Sequence, residues 1–266
     1  MSIGWLGYPL LGAFAGFVAG LFGVGGGLTI VPLLFMVFTA QAFPVEHSMH
    51  LALGTSMATI VLTSISSMRA HHQHGAVRWD IVKVFAPGLM AGTFGGSFIA
   101  ASIPTRPLAM VFTAIVFYAS ASMLIDRKPK PTRQLPGTAG MLAVGSGIGV
   151  VSSLVAAGGG FLSIPFMVFC NVAIHQAVGT SAALGFPIAV AGAIGYIASG
   201  YGIADLPQWS LGYIYLPALV GVVVISMLVA PLGARFAHSL QVKQLKRGFG
   251  VFLALLALQM LYRLMR

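Results

Sequence analysis

The chain has 266 residues, of which 58% are hydrophobic and only 7% charged, and its mean hydropathy is +0.96. A soluble domain carries about 25% charged residues, so this composition excludes a soluble globular protein and indicates an integral membrane protein. The net charge of +10 lies in short segments between apolar runs, where basic residues set membrane orientation, so we expect a lipid bilayer and no nucleic acid as partner.

Ten apolar stretches follow one another along the chain, several of them of bilayer length. A helix of about 20 apolar residues crosses the hydrocarbon core, so the stretches predict an all-α, polytopic membrane protein with roughly 8–10 membrane segments. The basic, proline-containing run at 126–133 predicts a first transmembrane repeat at 1–125, a cytoplasmic linker at 126–136 and a second repeat at 137–266. The first basic residue is Arg69, so we expect no cleaved signal peptide. The stretches are 6–22, 28–40, 48–68, 82–101, 107–125, 138–157, 161–171, 176–199, 211–232 and 247–264.

The acidic residues restrict the class of substrate and argue against catalysis. None of the four lies in the middle of an apolar stretch, whereas a carrier of metal ions or ammonium usually needs a carboxylate inside the membrane. An anion or a neutral solute is therefore favoured. The sequence also contains no nucleophile, base and acid spaced for catalysis and no Walker loop, so we expect no enzyme and no cofactor. The acids are Glu46, Asp80, Asp126 and Asp205.

The chain contains two similar halves, each with a glycine-rich break inside an apolar run, at 23–27 and 156–160. Matching residues recur at offsets that drift between 125 and 133, as a duplicated unit with loop insertions predicts. The pairs are Gly25 with Gly158, Gly27 with Gly160, Pro32 with Pro165, His50 with His175, residues 54–56 with 179–181, Trp79 with Trp209, and Pro87 with Pro217.

The distribution of Lys and Arg indicates that the halves are inverted relative to each other. If each glycine break is the turn of a helical hairpin or a re-entrant element, 11 basic residues lie on the cytoplasmic side and 3 on the other. Four simple crossings per half would give 9 against 5. The positive-inside rule favours the first arrangement, with both termini outside. The cytoplasmic set is then Arg69, Arg78, Lys83, Arg127, Lys128, Lys130, Arg133, Arg235, Lys243, Lys246 and Arg247, against Arg106, Arg263 and Arg266.

Both glycine breaks are candidate anion sites. Glycine lets the backbone approach a ligand, and the free amides at the start of the next helix carry the positive end of its dipole. Alternatively, the glycines only let helices pack closely. Two breaks in corresponding places favour a binding site near the middle of the membrane. The candidate binding glycines are Gly25, Gly26, Gly27, Gly158, Gly159 and Gly160.

Hydroxyl groups near the breaks are candidate donors to an oxyanion. The Gly-Thr-Ser motif of each half lies near the first turn of the helix that follows the post-glycine helix. The hydroxyl residues of the two motifs are Thr55, Ser56, Thr180 and Ser181. Their alternative role is to bond carbonyl groups of their own helix, which is common for membrane Ser and Thr. Thr29 and Ser163, on the helices that follow the breaks, complete the set.

Histidines offer two further hypotheses. His50 and His175 precede the Gly-Thr-Ser motifs and would titrate near neutral pH if they lay on a transport path; alternatively, each bonds to loop backbone at the membrane interface. His71, His72 and His74 share a loop with Arg69 and Arg78, where a solvated basic loop is favoured over a zinc site, so we expect no metal. Cys170 is the sole cysteine, which excludes an internal disulfide.

Taken together, these motifs resemble those of the sulfite exporter TauE/SafE family. The resemblance lies in residues 19–27, Val31-Pro32 and residues 54–56, together with the second-half copies and the basic linker, and it extends over essentially the whole chain. It implies an inner-membrane secondary transporter of small sulfur-containing anions such as sulfite, sulfoacetate or related organosulfonates, coupled to protons in some members. The second copy departs from the first by reading Ala156-Ala157-Gly158 where the first reads Gly23-Val24-Gly25, so the two breaks need not contribute equally.

We therefore expect a small anion to be carried by alternating access between two inverted halves of a multi-pass inner-membrane protein. A passive anion channel and a membrane scaffold without transport are the alternatives. The identity of the anion, the direction of transport and assembly as a homodimer stay open at this point.

Overall fold

The computed structural model describes residues 4–22, 26–125, 133–238 and 242–265, and these residues are almost entirely helical. The prediction of a polytopic helical membrane protein is confirmed: six of the helices are long and apolar enough to span a membrane, and four shorter apolar segments accompany them. The helices are α1 Gly4–Phe22, α2 Gly27–Ala40, α3 Val45–Gln73, α4 Trp79–Ser102, α5 Thr105–Ile125, α6 Thr138–Val155, α7 Gly160–Phe169, α8 Ile174–Gly200, α9 Leu216–His238 and α10 Val242–Met265. A short antiparallel pair, β1 Ser210–Leu211 and β2 Ile214–Tyr215, precedes α9.

Helices of one half pack mainly against helices of the other. α1 lies along α9, α4 along α6, α3 along α8 and α5 along α10. Small residues allow these approaches: a methyl group on Gly12 would lie 2.9 Å from the carbonyl oxygen of Gly221, and one on Gly88 would lie 2.9 Å from the Cα of Leu142. Close contact at small residues is the usual mode of helix packing in membranes.

Corresponding helices of the two halves run in opposite directions. Along α3 and α8, Gly192 lies against Met57, whereas Gly185, earlier in α8, lies against Ser64, later in α3. The pair α5 and α10 is also antiparallel, because Ser120 Oγ donates to the Gly250 carbonyl (2.7 Å) and Arg106, near the start of α5, donates to the carbonyl of Leu264 (2.8 Å). This is the relationship that inverted repeats require.

The contacts divide the loops between two ends of the helix bundle. At the end that we call the Arg78 end, the amide of Arg78 bonds Thr180 near the start of α8, and the amide of Arg133 bonds the carbonyl of Phe169. At the opposite end, which we call the Tyr213 end, Tyr213 stacks on His50 near the start of α3. In each hairpin, the two helix ends that are remote from the glycine break lie at the same end of the bundle. For α1 and α2 this is the Tyr213 end, and for α6 and α7 it is the Arg78 end.

One correspondence predicted from the sequence is wrong. Trp79 is the first residue of α4, whereas Trp209 lies ahead of the β pair, seven residues before α9 begins at Leu216. Likewise, Pro87 lies inside α4, but Pro217 is the second residue of α9. The long connection before α9 shifts the structural equivalence, so these matched letters do not occupy matched places.

Candidate functional site

The glycine breaks have the same backbone form in both halves. Gly26, which precedes α2, has φ 67°, and Gly159, which precedes α7, has φ 77°. This left-handed conformation favours glycine at both positions because a side chain there would be strained. α1 and α2 form a hairpin whose outer ends meet where the Tyr8 hydroxyl donates to Gln41. α6 and α7 form the second hairpin, with Ala156 also left-handed at its turn.

The tips of the two hairpins touch each other midway along the long helices. A methyl group on Gly27 would clash with the carbonyl oxygen of Ala156 and would lie 2.9 Å from Ile60, near the middle of α3. Gly159 lies against Ile188, near the middle of α8, at 2.5 Å from a methyl group placed on the glycine. The two breaks therefore meet between the midpoints of α3 and α8, as a substrate site near mid-membrane requires.

The described residues of the first break, Gly26 and Gly27, are enclosed by protein. Residues 26–32 are all buried, and the Ala156 carbonyl fills the space beside Gly27 at the start of α2. The Thr29 hydroxyl donates to the carbonyl of Gly26 at 2.7 Å, within its own turn. Gly25 lies outside the described residues. For Gly26, Gly27 and Thr29 the geometry matches close packing, the alternative that the sequence left open.

The second break is more open and is surrounded by hydroxyl groups. Gly158 and Gly160 are partly exposed, and a methyl group on Gly160 would lie 3.4 Å from Ser181 Oγ. Ser163 Oγ donates to the carbonyl of Gly159 at 2.9 Å and lies 2.9 Å from Ser181 Oγ. Since Ser163 has only one proton, Ser181 is the donor in the second bond. The protons of both serines are thus engaged within the protein.

A serine that the sequence analysis missed completes this cluster. Ser152, in the last turn of α6, is fully buried, and its hydroxyl has no hydrogen-bond partner among the described residues. A methyl group on Gly159 would lie 4.0 Å from both Ser152 Oγ and Ser163 Oγ. A buried hydroxyl without a partner costs about 1–3 kcal/mol, and its place beside the start of α7 makes Ser152 a candidate ligand-binding residue. At the offset of 133 residues its counterpart is Ala19, and this difference was a signal in the sequence.

The start of α7 supplies further donors. Hydrogen bonds to the carbonyl of Gly159 begin with the amides of Leu162 and Ser163. The amides of Gly160 and Phe161 have no acceptor in the described part of the chain, as expected for the first turn of a helix. We define the α7 site as these two amides, the Ser152 hydroxyl, and the bonded pair Ser163 and Ser181.

The threonines of the Gly-Thr-Ser motifs bind backbone of the opposite half instead of facing the breaks. Thr55 Oγ1 accepts a hydrogen bond from the amide of Tyr215 at 3.0 Å, just before α9. Thr180 Oγ1 does the same for the amide of Arg78, just before α4, also at 3.0 Å. Neither the cavity-lining role nor the bond to their own helix carbonyls, the two alternatives from the sequence, describes these contacts. Ser56 remains a candidate because its hydroxyl is buried and unpartnered within the described residues.

The two histidines occupy different environments. His50 Nε2 contacts the carbonyl oxygens of Ala100 (3.2 Å) and Ile103 (3.1 Å), and its ring stacks on Tyr213. It therefore joins α3 to the turn after α4, matching the interfacial alternative. Burial raises the pKa of the Tyr213 phenol, so this ring stays neutral beside the histidine. His175 is exposed near the start of α8 at the Arg78 end.

The prediction that the histidines at 71, 72 and 74 share a loop is wrong for most of them: Arg69, His71 and His72 lie in the last turns of α3, and only His74 follows the helix. An aromatic contact holds this end of α3 to the start of α4. Trp79 Nε1 donates to His72 Nδ1 at 3.1 Å, and the two rings meet edge to face. In the part of the chain that the structure describes, no three His, Cys, Asp or Glu side chains come together as metal ligands would.

Comparisons with known proteins match nearly the whole length of the chain. The family model of the sulfite exporter TauE/SafE matches residues 8–260. A probable membrane transporter protein of Haemophilus influenzae is 38% identical, covering 94% of this chain and 96% of the relative. The probable membrane transporter protein YdhB of Bacillus subtilis is 27% identical over 93% of this chain and 96% of its own length. No solved structure matches.

A probable membrane transporter protein of Methanocaldococcus jannaschii, 24% identical over 95% of this chain and 93% of its own length, extends the likeness to an archaeon. The family match, the names of these relatives and the six long apolar helices all indicate a membrane transporter. The chain therefore belongs to the sulfite exporter TauE/SafE family and is a multi-pass membrane transporter.

Proposed function

We propose that the protein is a secondary transporter that moves a small sulfur-containing oxyanion, such as sulfite, sulfoacetate or a related organosulfonate, across the inner membrane. The observation that carries this proposal is the unpartnered Ser152 hydroxyl beside the start of α7, where the two hairpin tips meet. Helix starts bind oxyanions through free amides and the helix dipole. A hydroxyl that lacks a partner is the complementary donor.

The charge distribution supports an anion that is bound and released easily. No Lys, Arg, Asp or Glu occurs in the sequence between Arg133 and Asp205, which includes the second break and all of α6, α7 and α8. A buried carboxylate that would attract a cation is therefore missing from these helices. An anion would be held by dipoles and hydroxyl groups without an ion pair, which suits a site that must release its substrate.

Inverted halves support alternating access as the mechanism. The first hairpin enters from the Tyr213 end and the second from the Arg78 end, and they touch at Gly27 and Ala156. Movement of one hairpin against the other would open the central site to one end at a time. By the positive-inside rule we assign the Arg78 end, with Arg69, Lys83 and Arg133, to the cytoplasm.

Transport by the purified protein in proteoliposomes tests the proposal. We expect anion on the opposite side of the membrane to accelerate the flux of sulfite or an organosulfonate, as alternating access requires, and an imposed pH gradient to drive uphill accumulation of sulfite. The matched variants are Ser152→Ala, which removes the unpartnered hydroxyl, and Ser153→Ala, whose hydroxyl already donates to the Val150 carbonyl at 2.7 Å. Only the first should reduce anion flux.

The same assay separates the alternatives. Downhill anion flux that anion on the opposite side does not accelerate would support a passive channel, and a well-folded protein without any flux would support a scaffold. Cation flux with no effect of anions would overturn the proposal.

A further inference from the structure

The α7 site has a small and countable set of free donors. The protons of Ser163 and Ser181 are used within the protein, which leaves the hydroxyl of Ser152 and the amides of Gly160 and Phe161. All three are electrically neutral groups. The helix dipole adds the equivalent of about half a positive charge at the start of α7.

No charged side chain supplements these donors. α6, α7 and α8 contain no Lys, Arg, Asp or Glu. Of the facing helices, α2 is also free of charge, and the charged residues of α3, Glu46 and Arg69, lie toward its two ends, far from Ile60 at the break. The charged residues of α4, Asp80 and Lys83, lie in its first turns, well before Gly96, which packs against Ser153 beside Ser152. An anion in the α7 site would therefore have no full positive charge beside it.

The titratable groups on the surrounding helices do not change this balance. On α3, His47 and His50 lie near the Tyr213 end, and His71 and His72 lie in the last turn at the Arg78 end. On α8, His175 is exposed at the start. Tyr196 donates its hydroxyl proton to the Ser153 carbonyl at 2.9 Å, and a phenol keeps its proton at neutral pH.

The physics of ion transfer then discriminates between anions by charge. The cost of removing an ion from water grows with the square of its charge, so a dianion costs about four times as much as a monoanion. Its attraction to fixed dipoles only doubles. A site made of neutral donors and one helix end can therefore compensate the cost for a monoanion far better than the cost for a dianion.

We infer that the α7 site binds oxyanions that carry a single negative charge, namely hydrogensulfite and simple sulfonates such as methanesulfonate. It rejects the dianions sulfite and sulfate, and also sulfoacetate, whose carboxylate adds a second charge at neutral pH. This inference rests on the proposed function and names the charge state of its substrate. For sulfite it has a mechanistic consequence: the transported species already holds the proton, so movement of sulfite carries a proton without a titrating side chain. A sulfonate, which has no such proton at neutral pH, would move without one.

Binding to the purified full-length protein in detergent tests the inference. Isothermal titration calorimetry would measure methanesulfonate, sulfite and sulfate at pH values below and above the second pKa of sulfite. We expect the Kd of sulfite to rise about tenfold per pH unit above that pKa, because the binding-competent fraction falls by that factor. The Kd of methanesulfonate should stay constant, which controls for titration of the protein, and sulfate should bind far more weakly at every pH.

The outcomes separate the inference from the proposed function. Equal binding of sulfate and methanesulfonate, or a sulfite Kd that does not change with pH, would overturn the preference for monoanions and leave anion transport standing. Binding of none of the three anions, together with no flux of them in proteoliposomes, would overturn both. Ser152→Ala should weaken methanesulfonate binding while Ser153→Ala should not, which assigns the binding to the α7 site.

Discussion

Thr180 Oγ1 accepts a hydrogen bond from the backbone amide of Arg78, 3.0 Å away and 102 residues earlier in the chain. Beside it, Gly179 lies so close to Ala76 that a methyl group would come within 2.6 Å of the Ala76 carbonyl oxygen. Thr55 repeats the arrangement with the amide of Tyr215. Each Gly-Thr pair therefore holds the segment that leads into a helix of the opposite half.

We predict that Thr180→Val lowers stability without impairing anion binding by the folded protein. Valine keeps the shape but leaves the Arg78 amide without its acceptor, at a cost of about 1–3 kcal/mol. Thermal unfolding in detergent and methanesulfonate binding would be measured together, with Thr55→Val as the matched variant. Loss of binding at unchanged stability would place the threonine in the site and refute this assignment.

Gly27→Ala should be strongly destabilising because the added methyl group meets the backbone carbonyl of Ala156. Overpacking of this kind costs about 1–3 kcal/mol or more. Gly95, in the middle of α4, has open space where a methyl group would lie, with no neighbouring atom within 4 Å. Gly95→Ala is therefore the control and should stabilise by about 0.5–1 kcal/mol. If both variants unfold at the same temperature as the parent protein, the contact between the hairpin tips is incorrect.

Ser152→Ala should weaken binding of methanesulfonate by about 10- to 100-fold, since a hydrogen bond to a charged group contributes about 1.5–3 kcal/mol. The protein itself should gain stability in the absence of ligand, because the change removes a buried hydroxyl that has no partner among the described residues. Calorimetry and thermal unfolding with and without the anion would measure both effects. A less stable Ser152→Ala protein with normal affinity would show that the hydroxyl serves the fold.

The pH dependence of sulfite transport should survive replacement of either histidine. His50 is occupied by the carbonyls of Ala100 and Ile103, and His175 is exposed at the Arg78 end. If the substrate carries the proton, His175→Gln should leave the pH profile of sulfite flux unchanged. A flattened profile with intact exchange would instead make the histidine the proton carrier. His50→Gln tests the other position under the same conditions, read per folded protein.

The sequence was sufficient to predict the membrane class, the positions of both breaks and the antiparallel relation of the halves. Hydropathy predicts the membrane class, glycine runs predict the breaks, and the placement of Lys and Arg predicts the inversion. Each of these signals can be read from a short stretch of sequence. Partners that depend on contacts between distant segments were not predictable: Thr180 with Arg78 is one example, and Gly27 with Ala156 is another. Ser152 was missed because a serine in an apolar helix usually bonds its own backbone, as Ser153 does.

The predicted correspondence between the two halves fails where an insertion has changed the spacing of the residues. Trp79 and Trp209 match as letters but not as places, because the β pair lengthens the connection before α9. The difference between Ser152 and Ala19, which correspond at the offset of 133 residues, is a more useful signal than the departure at 156–158, because only the second half has a hydroxyl at this position.

The backbones of the two hairpins are in contact at Gly27 and Ala156, so neither hairpin can enter further without a clash with the other. In this conformation, main-chain atoms, which cannot change rotamer, set how deeply either hairpin enters the helix bundle, and they set the depth of the α7 site with it. Side chains around the tips are free to diverge without moving that point. Substitution of those side chains could thus change which ligand the proposed α7 site binds while the distance of that site from either membrane surface stays the same.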